Sequence, residues 1–260
     1  MDFSTHQSIP DLVKPNAAVL GDCLEVMSSI HDESVDLIIA DLPYGTTIAA
    51  WDEIIPFEPL WEQFKRVAKP TTAMVFTASQ PFTTQLITSN LNMFRYCLVW
   101  QKTRPTGSVH ANKRPLKAHE DIVVFYQKQP TYNPQMTKAK RRKEKEYSVK
   151  AHPTLSPTPL TRQFDNKGMA YPRSILKFAN PNHDNINPTQ KPVPLFEYLI
   201  RTYSNEGDTV LDPCAGSFTT SIAADKCKRS WICIEKSEQG FETGMERLKN
   251  ARYTADIFDD

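Results

Sequence analysis

Two stretches of this 260-residue chain end an apolar run in an acid and then turn a corner. In the first, Val35-Asp36-Leu37-Ile38-Ile39-Ala40 leads into Asp41-Leu42-Pro43-Tyr44-Gly45. Proline fixes its own φ and biases the residue before it toward an extended shape, so Asp41 and Tyr44 are held by a stiff corner. A carboxylate acceptor and a flat ring on such a corner suit a planar molecule carrying an NH2 group. In the second, Thr209-Val210-Leu211 runs into Asp212-Pro213-Cys214-Ala215-Gly216-Ser217-Phe218-Thr219-Thr220. A glycine there lets backbone approach a ligand closely, and the helix start behind it favours a carboxylate. A third apolar run, Ser230 to Glu235, also ends in an acid. Glu235 falls about where a nucleotide-binding α/β unit places its ribose-binding carboxylate, roughly 20 residues after the first strand.

These residues resemble a known family. Asp41-Leu42-Pro43-Tyr44 is similar to the Asp-Pro-Pro-Tyr motif of DNA amino-methyltransferases, which methylate adenine N6 or cytosine N4; Leu42 stands where the commonest form has proline. Asp212 to Thr220 resembles the family's S-adenosylmethionine loop, Asp-Pro-Phe-Ala-Gly-Ser-Gly-Thr-Thr. Phe218 replaces its last glycine, and the expectation is a narrowed loop. Pro188-Thr189-Gln190-Lys191-Pro192 resembles the segment that flanks the methionine end of the cofactor. The motif order, catalytic first and cofactor loop last, is that of the circularly permuted beta class.

The resemblance implies a Rossmann-like methyltransferase fold, α/β and circularly permuted. It would have a seven-stranded, mostly parallel sheet with an antiparallel edge strand, plus an inserted recognition segment. It implies S-adenosylmethionine as cofactor and double-stranded DNA as partner. Catalytic roles fall on Asp41, Leu42, Pro43 and Tyr44. Cofactor contacts fall on Asp22, Asp41, Lys191, Asp212, Cys214, Ala215, Gly216, Ser217, Phe218, Thr219 and Glu235. For Asp22 the resemblance gives a contact to the cofactor's adenine, while the residue itself also suits a helix N-cap.

The elements that must position these groups are legible as patterns. The apolar run leading to Asp41 reads as a strand buried on both faces, and residues 73–78 as another buried strand. In open α/β sheets ligands bind at the carboxyl ends of such strands, where Asp41 would sit. Leu60, Phe64 and Val67 mark a helix that ends near Lys69-Pro70. Leu195, Leu199 and Ile200 mark another, and a last helix is expected from Glu238 to about Ala251, packing through Met245 and Leu248, with a fraying tail beyond. Trp51 follows the first corner and is read as packing under the next helix or lying open beside the site. Residues 96–100 and 121–126 read as the last two strands, and the resemblance implies that they form the antiparallel edge hairpin, here joined by a long connection.

That connection carries Lys102, Arg104, Lys113, Arg114 and Lys117 with no acid, a candidate for phosphate contact. His119-Glu120 after it is read as mainly structural. From Gln127 to about Pro181 apolar periodicity fades, proline recurs, and Lys140, Arg141, Arg142 and Lys143 form a basic run. An insertion that long is functional or unstructured; by resemblance it carries target recognition. The expected division is 1–128 for the catalytic half, 129–185 for the insertion and 186–260 for the cofactor half.

Formal net charge is +1, so any DNA-binding face must come from local clustering. Five scattered cysteines fit a reducing interior better than a disulfide framework, and none pairs closely with histidines, so no metal site is expected. Pro213-Cys214 has the form of the cytosine-C5 methyltransferase nucleophile, but inside a cofactor-like loop Cys214 reads as a packing residue. No apolar signal or membrane-spanning stretch is present, and a cytoplasmic protein without membrane contact is expected. A homodimer and a cognate restriction endonuclease are left open as partners. Adenine N6 is the leading target because Asp, not Ser, opens the first motif. Cytosine N4 is the runner-up, with an RNA or protein-glutamine methyltransferase and a non-catalytic DNA-binding homologue behind it.

Overall fold

The apolar runs become the inner strands of one sheet. The computed structural model describes residues 12–49, 52–140, 145–149, 160–164, 167–181 and 190–258. The elements in chain order are β1 (Ala17–Leu20), α1 (Cys23–Met27), β2 (Val35–Ala40), α2 (Phe57–Val67), β3 (Ala68–Ala78), α3 (Phe82–Ser89), β4 (Phe94–Thr106) and β5 (Lys117–Phe125). Four short strands follow: β6 (Thr137–Lys138), β7 (Lys145–Val149), β8 (Leu160–Phe164) and β9 (Met169–Ala170). The chain closes with β10 (Ile175–Phe178), α4 (Val193–Tyr203), β11 (Thr209–Asp212), α5 (Thr219–Lys226), β12 (Ser230–Glu235) and α6 (Glu238–Phe258).

The sheet order is β1-β12-β11-β2-β3-β5-β4-β10, with β5 antiparallel to both its neighbours and the other pairings parallel. The fold is thus α/β with a mainly parallel sheet and an antiparallel strand toward one side. An eighth strand joins the expected seven. Ile175–Phe178, read as part of the insertion, lies parallel to β4 beyond the hairpin. Leu176 buries its side chain with Trp100, whose Nε1 donates to the Phe178 carbonyl at 3.0 Å, while Ile175 and Lys177 face out.

Two apolar cores lie against the sheet, and period-2 alternation deals residues to each. Ile38, Ala40, Met74 and Phe76 pack with Val26 and Met27 of α1 and Leu60, Trp61 and Phe64 of α2. Leu37, Ile39 and Val75 pack with Leu195 and Leu199 of α4, Ile222 and Ala223 of α5 and Leu248 of α6. Coverage of both faces explains why β2 reads as an unbroken apolar run with one exception. That exception, Asp36, is held by Lys69 Nζ at 2.5 Å and the Thr209 N–H at 3.0 Å. Helix α6 continues past the expected end at Ala251 to Phe258.

The chain divides into two compact units, Met1–Asn133 with Ser174–Asp260, and Pro134–Arg173. In the smaller unit β6 pairs antiparallel with β9, and β7 with β8. Lys140 is exposed there, whereas Arg141, Arg142 and Lys143 lie outside the described residues, as do Trp51, Pro188 and Thr189. Among the described residues no helix is long and apolar enough to cross a membrane.

Candidate active site

Strands β2 and β11 are parallel neighbours, with Leu37 opposite Val210 and Ile38 opposite Leu211. Their carboxyl ends therefore deliver Asp41 and Asp212 to the same edge of the sheet.

Asp41 is half-buried, and three donors meet its carboxylate. Oδ1 accepts from the Tyr44 hydroxyl at 2.7 Å and from Thr77 Oγ1 at 2.5 Å, and Oδ2 accepts from Lys191 Nζ at 2.6 Å. Tyr44 stacks on Phe82, with centroids 5.0 Å apart and planes 21° from parallel. Burial, then the carboxylates of Asp41 and Glu120, raise the Tyr44 phenol well above its usual pKa, so it stays a donor. Leu42 is buried in the core and Pro43 is half-buried.

The loop beyond Tyr44 is held by Asp52. Its Oδ1 accepts from the backbone N–H groups of Tyr44 (2.7 Å) and Gly45 (2.9 Å), and its Oδ2 from Thr46 (2.9 Å) and Thr47 (2.7 Å). Burial alone would raise this carboxyl's pKa; the converging donors bring it below the ordinary range. The composition of Gly45 to Asp52 gave a loop but not this tether, because one carboxylate gathering four amides depends on the folded path of the loop.

Behind Asp41 lies a buried array of charge. Lys191 Nζ is 3.4 Å from Glu120 Oε2, and Glu120 Oε1 pairs with Lys102 Nζ at 2.6 Å. Burial opposes charge on Lys191, but Asp41 and then Glu120 win, and its pKa is raised. Glu120 is likewise held below the usual carboxylate range by Lys191 and Lys102 against the effect of burial. Lys102, expected at phosphate, is thus inside: its side chain is 7% exposed. The reason is that β4 runs on as strand to Thr106, so Lys102, two residues beyond the Trp100 that faces Glu120, shares its side of the sheet and turns inward. Arg104, Lys113 and Arg114 are exposed on the remaining hairpin, with Val109 at its tip.

The second corner is organised differently. Asp212 is 3% exposed, and its carboxylate is used within its own loop, by the Cys214 N–H at 3.0 Å and by the Thr220 hydroxyl. Burial pushes its pKa up to about 7. Ala215 is buried, its N–H bonded to the Ile234 carbonyl at 2.8 Å. Hydrogen bonding with Cys23 and burial hold the Cys214 thiol well above its usual pKa.

Gly216 has φ +49°, and a Cβ there would meet nothing within 4 Å, so the loop presents bare backbone to open space. Glu235 Oε2 accepts from the Gly216 N–H at 2.7 Å and Oε1 from the Ser237 N–H at 2.8 Å; the carboxylate is half-exposed and keeps lone pairs for further donors. Asp22 caps α1 through the Leu24 N–H at 2.9 Å, and its other oxygen takes Lys236 Nζ at 3.1 Å.

Phe218 adopts left-handed dihedrals, φ 57° and ψ 33°, which a non-glycine residue rarely takes. Its ring is fully buried, edge-on to Phe241 at 5.7 Å and pressed on Gly244 of α6. The ring is received on the helix side of the loop, between Phe241 and Gly244. Arg247 completes the brace: its Nη1 donates to the Ser217 carbonyl (2.6 Å), Ser217 Oγ (3.2 Å) and Thr219 Oγ1 (2.9 Å). The Ser217 and Thr219 hydroxyls are therefore turned to α6. Neither Gly244 nor Arg247 carries a local sequence signal, since each acts across about thirty residues of chain.

A carboxylate corner beside a glycine loop, on adjacent parallel strands, is matched by similarity to known proteins. The family model described as DNA methylase, covering N6 and N4 methyltransferases, matches residues 35–246. The chain belongs to the N6/N4 DNA methylase family. It is 31% identical over 248 residues to the DNA adenine methyltransferase YhdJ of Escherichia coli K12, covering 90% of this chain and 82% of that protein. It is 28% identical over 247 residues to the type II methyltransferase M.HpaI of Haemophilus parainfluenzae, covering 88% and 73%. Among solved folds, this DNA methylase superposes on the M1.HpyAVI–SAM complex with TM-score 0.60 at 22% identity, over 89% of this chain and 98% of the other. It also superposes on the cytosine-N4-specific PvuII DNA methyltransferase with TM-score 0.64 at 15% identity, over 92% of each.

Proposed function

We propose that this DNA methylase transfers a methyl group from S-adenosylmethionine to the exocyclic N6 of an adenine flipped out of double-stranded DNA. One observation carries the reading: the Asp41–Tyr44 corner and the Gly216 loop leave neighbouring parallel strands at the same edge. The similarity to YhdJ, named an adenine enzyme, supports N6 over cytosine N4.

The residues present fit the cofactor. Gly216 would admit it against bare backbone, Glu235 has acceptor capacity for ribose hydroxyls, and Asp22 stands at the next strand end with an exposed, displaceable lysine partner. When bound, S-adenosylmethionine supplies an electrophilic methyl group on a sulfonium sulfur.

The protein's part is to prepare the nucleophile. An exocyclic amine is weakly nucleophilic because its lone pair is delocalised into the ring. Asp41 and the backbone carbonyl of Leu42 or Pro43 would accept its two N–H bonds and draw the nitrogen toward tetrahedral geometry. Tyr44 would stack on the base, a contact worth about 1–3 kcal/mol. A base within a duplex cannot reach this corner, so the target must be extruded. Positioning supplies most of the rate, and no covalent enzyme intermediate is required. Arg104, Lys113 and Arg114 on the exposed hairpin would take phosphates, and the 134–173 unit would contribute target recognition with the basic run at 140–143.

Sequencing of DNA from cells expressing the protein, with detection of modified bases, tests this. N6-methyladenine in one short motif is expected. N4-methylcytosine would move the target and keep the mechanism, and unmodified DNA beside soluble protein would end the reading.

A further inference from the structure

Glu120 is a buried carboxylate for which the proposed reaction has no task. It is 7% exposed, lies on β5 opposite Trp100, and pairs with Lys102 through Oε1 at 2.6 Å. Its Oε2 is buried without a hydrogen-bond partner among the described residues. A buried charged oxygen left unmet is costly and calls for an explanation. The nearest cation is Lys191 Nζ, which forms a long ion pair with it at 3.4 Å while one of its three N–H donors goes to Asp41 Oδ2 at 2.6 Å. Asp41 Oδ1 already takes two hydroxyls. Both Asp41 oxygens that the target amine could use are thus engaged, and the strongest occupant is an ammonium standing between two carboxylates.

We propose that Glu120 is a positioning residue for methyl transfer, the second seat of the Lys191 ammonium. When an exocyclic amine arrives at Asp41, Nζ swings from Asp41 Oδ2 to Glu120 Oε2. The gap to close is small, from 3.4 Å to the roughly 2.8 Å of a charge-assisted bond. The move frees one Asp41 oxygen for the incoming N–H and satisfies the orphaned Glu120 oxygen. The Asp41 and Glu120 carboxylates and the Lys102, Lys191 and Lys117 ammonium groups act on one another here, and the shift only moves a donor between acceptors, so it changes no net charge. Lys102 matters here as the fixed cation that keeps Glu120 ionised while Lys191 is on Asp41. No proton or bond changes hands; one donor moves from one acceptor to another. This rests on the reading of Asp41 as acceptor of the amine.

A double-mutant cycle on the single-turnover rate tests it, with unmethylated genomic DNA as substrate. Wild-type protein is assayed first. If it transfers no methyl, the Asp41 reading fails and the seat fails with it. If it does, Glu120→Gln is expected to slow the step about tenfold, with half-saturating cofactor and DNA concentrations within about twofold of wild type. In a Lys191→Gln background the same change should alter the rate by less than about twofold, because no ammonium remains to be seated. Equal losses in both backgrounds would overturn the proposal, as would an unchanged rate in Glu120→Gln. Should Glu120→Gln unfold by stranding Lys102, the cycle is repeated with Lys102→Gln present throughout, and the same two results decide.

Discussion

The two corners of the site start alike and end differently. Each is a buried parallel strand that closes on an acid with a proline one or two residues later. Asp41 is left half-exposed, bound by side chains from three other places in the chain: Tyr44, Thr77 and Lys191. Asp212 is sealed in and satisfied by its own loop. The support differs in the same sense. The Tyr44 loop hangs from one carboxylate, Asp52, whereas the Ser217–Thr219 loop is bolted to α6 by Arg247 and by the Phe218 ring. One acid is half-open and held from elsewhere in the chain, the other fastens its own loop, and neither set of partners can be read from the residues around it.

The largest effect should come from Asp41→Asn. Methyl transfer is expected to fall by at least about a thousandfold with unchanged circular dichroism, the scale of losing a preorganised polar group at a reacting centre. An equal loss from Asp212→Asn would erase the distinction between the corners. Next comes Asp52→Ala, which strands four N–H groups: a drop of about a hundredfold in turnover is expected while cofactor affinity by calorimetry stays within about twofold. Weakened cofactor binding instead would mean that the two loops are not separately held.

Phe218→Gly should destabilise the fold by about 1–4 kcal/mol, the loss of a buried ring (about 3–5) less the relief of a left-handed residue (about 1–2). Denaturant melts measure it, and a gain in stability would contradict the packing described. The smallest change in activity, within about threefold, is expected for Asp212→Asn, since Thr220 can turn its hydroxyl to accept from the amide. Its effect should appear in pH dependence. The folded pKa of about 7 lies above the unfolded value, so the folded state binds the proton better. That contribution is complete below the unfolded pKa near about 4 and fades as pH rises through about 7. Thermal melts of Asp212→Asn against wild type should lose this part of the slope; parallel curves would assign the slope to other groups.

Much of the fold is legible in the sequence alone. β2, β11 and the inner parts of β3 and β5 are written as apolar runs, and the acids at the ends of β2 and β11 follow from where α/β sheets bind ligands. What is hidden depends on pairings distant in sequence. Glu120 looks like an ordinary strand acid until β4 brings Lys102 beside it and Lys191 arrives from some seventy residues on. Lys102 reads as one basic residue in a basic loop, and only the extension of β4 to Thr106 turns it inward. Phe218 reads as an obstruction because the vacancy that receives it is in another helix.

That vacancy couples two positions. Alanine in place of Gly244 would set a Cβ 1.8 Å from the Phe218 ring and 2.8 Å from the Gly216 carbonyl, so Gly244 is not free to change by itself. A glycine in mid-helix forfeits roughly 0.5–1 kcal/mol against alanine, a concession that the ring and the loop backbone both require. Shrinking Phe218 would not by itself admit alanine at 244, because the loop carbonyl would still stand in its way; the last helix is fitted to the path of the loop as well as to its side chain.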